Sequence, residues 1–129
     1  MNDKEINDKR LDKDFRSISF SGYKKSAAKK ELLNYMFAGK IEESCYWSVE
    51  LICAGHYVDL WDSIFLYISK FINLGNPRLP LYIDHRLNDF KNILNGGYTD
   101  SELKLRNNNK IRRLFAEVIC VLCLSKRKN

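Results

Sequence analysis

Four cysteines and two histidines are the residues of this 129-residue chain whose types could do metal or covalent chemistry. Cys120-Val-Leu-Cys123 has the spacing of a zinc knuckle, and Cys53-Ala-Gly-His56 supplies a thiol and an imidazole three positions apart. Four such N and S donors would suit tetrahedral zinc. The surroundings argue against it. Cys120 and Cys123 stand inside an apolar run of helical period, whereas a zinc knuckle sets its thiolates in turns from which they can converge, and cysteine is among the commonest small core residues. The cysteines are therefore expected to be metal-free thiols. Cys45 with His56 or His85 has the residue types of a nucleophile and base, but it sits on a helix beside Tyr46 and Trp47, in a packing context. Glu42, Glu43, Glu50, Asp59 and Asp62 are numerous enough to pair as acid and base, and a solvated acidic face explains them more simply. The chain carries no GxxxxGK[ST] loop and no GxGxxG, and Gly96-Gly97 alone is a turn. The expectation is a non-enzymatic protein with no catalytic residue, no metal ligand and no cofactor.

The strongest candidate site is cationic. Lys104, Arg106, Lys110, Arg112 and Arg113 surround Asn107-Asn108-Asn109, any of which could cap the following helix. Five cations there oppose the positive end of the helix dipole, each by some tenths of a kcal/mol. A phosphate held by backbone N–H groups and the flanking side chains would relieve the repulsion. Glu102, Glu117 or the carboxylates of the central helices could do the same from within the fold. Both readings stand on the sequence alone.

The net charge of +6 is unevenly spread. Residues 1–30 hold nine basic and five acidic side chains, residues 31–100 five and nine, and residues 101–129 eight and two. An acidic middle between basic ends suits arms that meet a polyanion or an acidic surface, or tails that keep the protein in solution. A hydrophobic fraction of 45% and this length fit one domain with its own core. No apolar run approaches the roughly 20 residues that span a bilayer; Ile64 to Ile68 holds five. Free thiols and a charged N-terminus place the expected protein inside the cell, off the membrane.

These groups need elements to position them. Residues 1–22 alternate charge with few apolar anchors and read as a largely disordered arm, with Phe15, Ile18 and Phe20 as a short docking element. Residues 23–125 read as one helical domain and 126–129 as a basic tail. The first helix starts near Lys24, repeats Ala28, Leu32, Tyr35 and Met36, and stops at Gly39. The second runs from about Ile41 to Ala54, and the third from about Tyr57 to Asn73. The third is apolar except for a stripe of Asp59, Asp62, Ser63, Lys70 and Asn73, which predicts a central helix packed on most sides. Leu74 to Pro80 reads as a turn. A fourth helix carries Ile83, Leu87, Phe90 and Leu94, and Thr99 to Glu102 looks like a capped turn. The last helix, about Asn109 to Leu124, turns Ile111, Phe115, Val118, Ile119 and Leu122 inward. The fold class is all-α, a single-domain bundle of about five helices. Its core is expected to centre on Tyr46, Trp47, Trp61, Phe65 and Ile68.

The segments Cys45 to Gly55 and Ser69 to Pro77 resemble the C-terminal helical collar region of RarA-type AAA+ ATPases, relatives of the clamp loaders. Tyr46, Trp47, Ala54 and Gly55 match a Tyr-Trp pair opening a helix that ends in Ala-Gly, and Ser69, Ile72, Leu74 and Pro77 match the pattern closing the next. The resemblance covers residues 42–77 and implies a clamp-loader-collar-like hairpin at the centre that docks or assembles subunits, without the ATP-binding module. The whole chain, notably Arg106 to Asn129, is also similar to uncharacterised helical proteins of nucleocytoplasmic large DNA viruses. Together these imply a helical interaction or oligomerisation module. Its partner would be itself or another protein of a viral DNA replication or transcription assembly, in the cytoplasm or nucleus of an infected cell. The alternative is a small nucleic-acid-binding protein using the cations of residues 104–113 and the basic termini.

Overall fold

The computed structural model describes residues 8–72, 78–98 and 102–125. Over these the chain is helical: α1 (Lys25–Phe37), α2 (Ile41–Cys53), α3 (Tyr57–Phe71), α4 (Arg78–Asn95) and α5 (Asn109–Leu124), with 3-10 turns at Asp12–Phe15 and Glu102–Asn107. The all-α bundle expected from the periodicities is the fold that forms. Residues 74–77 of the turn expected at 74–80, residues 99–101 of the capped turn expected at 99–102, residues 1–7 and the basic tail 126–129 lie outside the described residues. No described helix is long and apolar enough to cross a membrane.

Two glycines set the first three helices against one another. Gly39, at φ 72°, and Gly55, at φ 80°, take the left-handed conformation that side chains disfavour. Around each, the backbone closes a Schellman motif: Gly39 N–H donates to Met36 O and Lys40 N–H to Tyr35 O, while Gly55 N–H donates to Ile52 O and His56 N–H to Leu51 O. Two of the loose carbonyls at each end thus have a donor, and the chain reverses without a long loop. α4 starts earlier than the sequence pattern suggested, at Arg78, because Pro80 falls in its first turn, where a proline has no hydrogen bond to lose. Asn108 caps α5, its Oδ1 accepting from Lys110 N at 2.8 Å and Ile111 N at 3.2 Å.

The core forms where α3, α4 and α5 bring four rings together. Trp61 lies 5.1 Å from Phe115 and 5.7 Å from Phe90, and Tyr57 lies 5.5 Å from Phe90, centroid to centroid. These are tilted or edge-on arrangements that favour aromatic pairs beyond simple burial. Ile111, Phe115, Val118, Ile119 and Leu122 all face inward, as their spacing indicated.

Three expectations change. Of the five residues assigned to the centre, Trp61 is buried at 5% exposure, and Trp47 and Ile68 are half-buried against the core. Tyr46 and Phe65 are 46% and 38% exposed. The reason is geometric. Tyr46 lies on a stripe of α2 that no other helix covers, and Phe65 shares with Val58 and Leu66 an outer face of α3. That face also corrects the picture of α3 as enclosed on nearly all sides. Its expected polar stripe splits accordingly: Ser63 is buried, its hydroxyl donating to Asp59 O, while Asp59 pairs with Lys25 and Lys29 at 3.4 and 3.3 Å.

The third change concerns the N-terminal arm, which is structured from Asp8 onward. Phe15 is fully buried against Ala54 and Leu103. The Arg10 guanidinium stacks on Phe15 and Phe20 at 4.4 and 4.7 Å and pairs with Asp8 at 2.6 Å. The buried Glu50 carboxylate accepts from Ser19 Oγ at 2.6 Å, Ser21 N–H at 2.9 Å and Ser21 Oγ at 2.7 Å. Charge alternation suggested solvent, but these charged and hydroxyl groups are matched to one another at fixed positions, and one phenylalanine anchors them.

Replacing Phe15 by Ala should therefore destabilise the whole domain by about 3–5 kcal/mol, the range for a large buried aromatic. Trp61→Ala should cost a similar amount by chemical denaturation. A Phe15→Ala variant with unchanged stability would detach the arm from the fold. The acid limb offers a second check. Burial raises the Asp59 carboxyl, but the Lys29 hydrogen bond and the charges of Lys25 and Lys29 outweigh it and leave it below the ordinary value. Its contribution is then complete above the unfolded carboxyl value of about 3.9 and is lost as pH falls through the lower folded one. Asp59→Asn should flatten stability over that interval.

Candidate interaction face

The five cations do not form one site. Arg106 is 5% exposed, and its guanidinium donates to Cys53 O at 3.0 Å and Asp8 O at 3.1 Å. It ties the second 3-10 turn to the end of α2 and to the N-terminal segment. Arg112 Nε donates to Arg106 O at 2.7 Å and its Nη2 to Asn107 Oδ1 at 3.2 Å, so a second cation is also committed to the fold. Lys104, Lys110 and Arg113 remain on the surface. The end of the α5 dipole is already served by the Asn108 side chain. The sequence weighed carboxylates against a phosphate as the relief for these charges; backbone carbonyls and an asparagine take that role for two of them.

Lys110 and Arg113 do line a shallow cleft between α4 and α5, with Asn92, Ile93 and Leu114. Arg86 and Asp89 share its wall and pair at 3.1 Å, and Arg86 also reaches Glu117 at 3.0 Å. The cleft continues past Tyr98 and Asn107. Its charge is mixed.

The thiols and imidazoles are likewise separate. Among the described residues no group of three or more His, Cys, Asp or Glu side chains is placed to hold a metal. His56 Nε2 lies 2.6 Å from Ile18 O, so that nitrogen carries the proton and faces a backbone carbonyl rather than Cys53 or Cys45. Cys123 is buried with its sulfur 3.4 Å from Ser44 Oγ. Burial pushes the Cys45 thiol above its ordinary value, with smaller contributions from Cys123 and Cys120. Burial raises the Cys53 thiol as well, partly offset by Arg106 and Arg112. Thiols held in the protonated state are poor nucleophiles and poor ligands.

What the four cysteines do mark is a seam, since all of them lie on α2 or α5. The two helices are antiparallel: Cys123 near the end of α5 touches Ser44 near the start of α2, and Arg112 in the first turn of α5 lines the same cavity as Cys53. Between these ends the seam opens into an apolar pocket of about 360 Å³. Its walls come from Cys45, Val49, Ile52 and Cys53 of α2 and Ala116 of α5, with Arg112 at one end. The size is that of a small recognition pocket. Small side chains create it, for Ser48 and Ala116 face the space that larger residues would close.

The pocket opens onto the uncovered stripe of α2. Glu42, Tyr46 and Val49 recur at steps of four and three, which places them along one line of the helix that ends at the buried Cys53. Val49, 49% exposed, belongs both to the stripe and to the pocket wall. Tyr46 and Tyr23 flank Trp47, with centroids 5.1 and 4.9 Å from the indole in edge-on contacts. An aromatic ledge therefore borders the stripe. Sequence reasoning named Tyr46 and Cys45 but assigned both to packing, and it missed Val49 and Ala116. The alternation of Ser48 and Ala116 with larger residues was the available signal, but it becomes visible only once the α2–α5 pairing is known.

Comparison with protein-family models, curated proteins and solved structures found no match.

The division of the cations makes two reversals unequal. Arg112→Glu should cost about 1.5–3 kcal/mol, the scale of hydrogen bonds from a charged donor, because it would set a carboxylate against Arg106 O and Asn107 Oδ1. Arg113→Glu should stay within about 0.5 kcal/mol of the parent, as an exposed change does. Urea midpoints compare them directly. Equal effects would mean that Arg112 is not part of the fold's framework.

Proposed function

We propose that the protein is a non-enzymatic interaction module that binds another protein through the α2–α5 face. The observation that carries this reading is the apolar pocket continuing onto Tyr46 and Val49, exposed beside the Trp47 ledge. A preformed apolar pocket with an exposed tyrosine on the adjoining stripe suits an interface centre, where tyrosine is enriched. α2 is also the first helix of the hairpin that resembles the AAA+ collar, so the docking role implied by that resemblance falls on the same element. The resemblance to large DNA virus proteins supplies a setting, a viral replication or transcription assembly.

The second reading, binding of nucleic acid, rests on the α4–α5 cleft, where Lys110 and Arg113 stand near Asn92 and Tyr98. It retains three exposed cations of the original five, and Asp89 shares its wall.

Val49→Asp separates the two. Val49 is half-exposed in the pocket wall, so the change should cost about 1 kcal/mol and leave the domain folded, while affinity capture from the native cells should lose the partner that the parent chain retains. Lys110→Glu with Arg113→Glu should leave that capture intact. If instead the parent binds DNA or RNA with an affinity that falls steeply as salt rises, and the double variant abolishes it while Val49→Asp does not, the α4–α5 cleft is the functional surface and the interaction reading fails.

A further inference from the structure

A second surface, sharing no residue with the α2–α5 pocket, runs along α3. Val58, Asp62, Phe65, Leu66, Ser69 and Lys70 follow one another at steps of four, three, one, three and one, and all six are exposed. Those steps set them on one face of the helix, opposite the buried Leu60, Ile64 and Tyr67. One exposed apolar side chain needs no explanation, but Val58, Phe65 and Leu66 share this face, and such grouping marks a contact surface. Asp62 and Lys70 have no ion pair among the described residues, although Asp59 on the same helix has two.

The order of charges along the face says what covers it. Asp62 stands four residues before Leu66 and Lys70 four residues after it. At the helical rise of 1.5 Å per residue, each charge lies about 6 Å from Leu66 along the axis. We propose that the occupant is a second copy of this chain, its α3 packed antiparallel on the first about a two-fold axis at Leu66. Asp62 of one copy is then level with Lys70 of the other, and symmetry repeats the pair on the far side of the axis. Leu66 meets its own counterpart between the two pairs, with Phe65 beside it. A face with opposite charges at equal distances from its centre is complementary to itself when one copy is reversed.

Other occupants fit less well. A parallel pair of α3 helices in register would set Asp62 level with Asp62 and Lys70 level with Lys70. A phosphate backbone would meet the Asp62 carboxylate, and a bilayer surface would have to bury it between Val58 and Leu66 without a partner. The antiparallel copy supplies a cation at that level. Each subunit of the dimer keeps its own α2–α5 pocket, so an assembly with repeated docking segments would be held by two linked sites rather than one.

Sedimentation equilibrium of the full chain is the test. The mass of the parent should rise with concentration from the 15.2 kDa of one chain toward twice that value. Asp62→Lys and Lys70→Glu should each weaken self-association by about tenfold or more, since each sets like charges level with one another on both sides of the axis. Mixed in equal amounts, these two variants should recover a dimer, because every facing pair is then of opposite charge. A single chain carrying both substitutions should recover it alone. Variants that had merely misfolded would not regain the contact on mixing. Val49→Asp, in the wall of the α2–α5 pocket, should leave the dimer unchanged. A parent that keeps the mass of one chain at every concentration overturns the proposal and leaves the α2–α5 reading standing. A dimer indifferent to both single substitutions, or lost in them and not restored by mixing, also overturns it. A dimer that Val49→Asp dissolves assigns self-association to the α2–α5 face instead.

Discussion

The arrangement of this protein depends on one buried cation. Arg106 reaches the carbonyl at the end of α2 and the backbone of the N-terminal segment, and its own carbonyl receives Arg112 from the first turn of α5. A guanidinium offers five donors in a rigid plane, so one side chain can satisfy acceptors from separate elements at once. Taking such a charge out of water is costly unless its donors are used, and here they hold three segments at fixed separation. The α2–α5 distance at the pocket's end follows from this tie, and the Cys123–Ser44 contact sets it at the other end. Between two fastenings, small residues leave a space that the helices cannot close by sliding together.

The same tie explains why the N-terminal segment joins the domain. Phe15 fills the space beside Ala54 and Leu103, and Gly55 lets Leu103 come close, since a Cβ there would lie 3.2 Å from its Cδ1. The backbone reversal after α2, the burial of Phe15 and the placement of Arg106 therefore support one another. Each relies on the others to bury polar groups with partners. A loss at any of them should be felt at the pocket, which shares Cys53 with this cluster.

Helix existence and helix faces were legible in the sequence wherever a period of three and four met a glycine or a cap. Residues 25–37, 41–53 and 109–124 follow that pattern closely, and the inward residues of α5 were identified one by one. What could not be read was which side of an apolar helix stays open. Tyr46 and Phe65 look like core residues because aromatic content is high all around α2 and α3, and only the positions of the neighbouring helices decide which rings are covered. The cations failed to read for a related reason. A run of five basic residues carries no sign of which guanidinium turns inward, because the acceptors are backbone carbonyls of Cys53, Asp8 and Arg106, which have no signature in residue types. The N-terminal segment was missed because its polar groups pair across about thirty residues, from Ser19 and Ser21 to Glu50, and alternating charge by itself looks like solvation.

The charge layout gains a different meaning once these ties are known. The two basic ends and acidic middle suggested polyanion binding by the chain as a whole. Part of the positive charge instead builds the fold: Arg106 and Arg112 close the start of α5, Arg10 stacks under two rings, and Lys25 and Lys29 hold Asp59. The acidic middle is reduced in the same way, with Asp59 paired and Glu50 buried under two serines. Glu42 and Glu43, in the first turn of α2, have no ion pair among the described residues. Since exposed charges act over about a Debye length of 10 Å at 0.1 M salt, an approaching segment responds to the charges bordering the surface it meets more than to the net +6 of the molecule. On the α2–α5 face those are Glu42 at the start of α2 and Arg112 in the pocket wall, one charge of each sign.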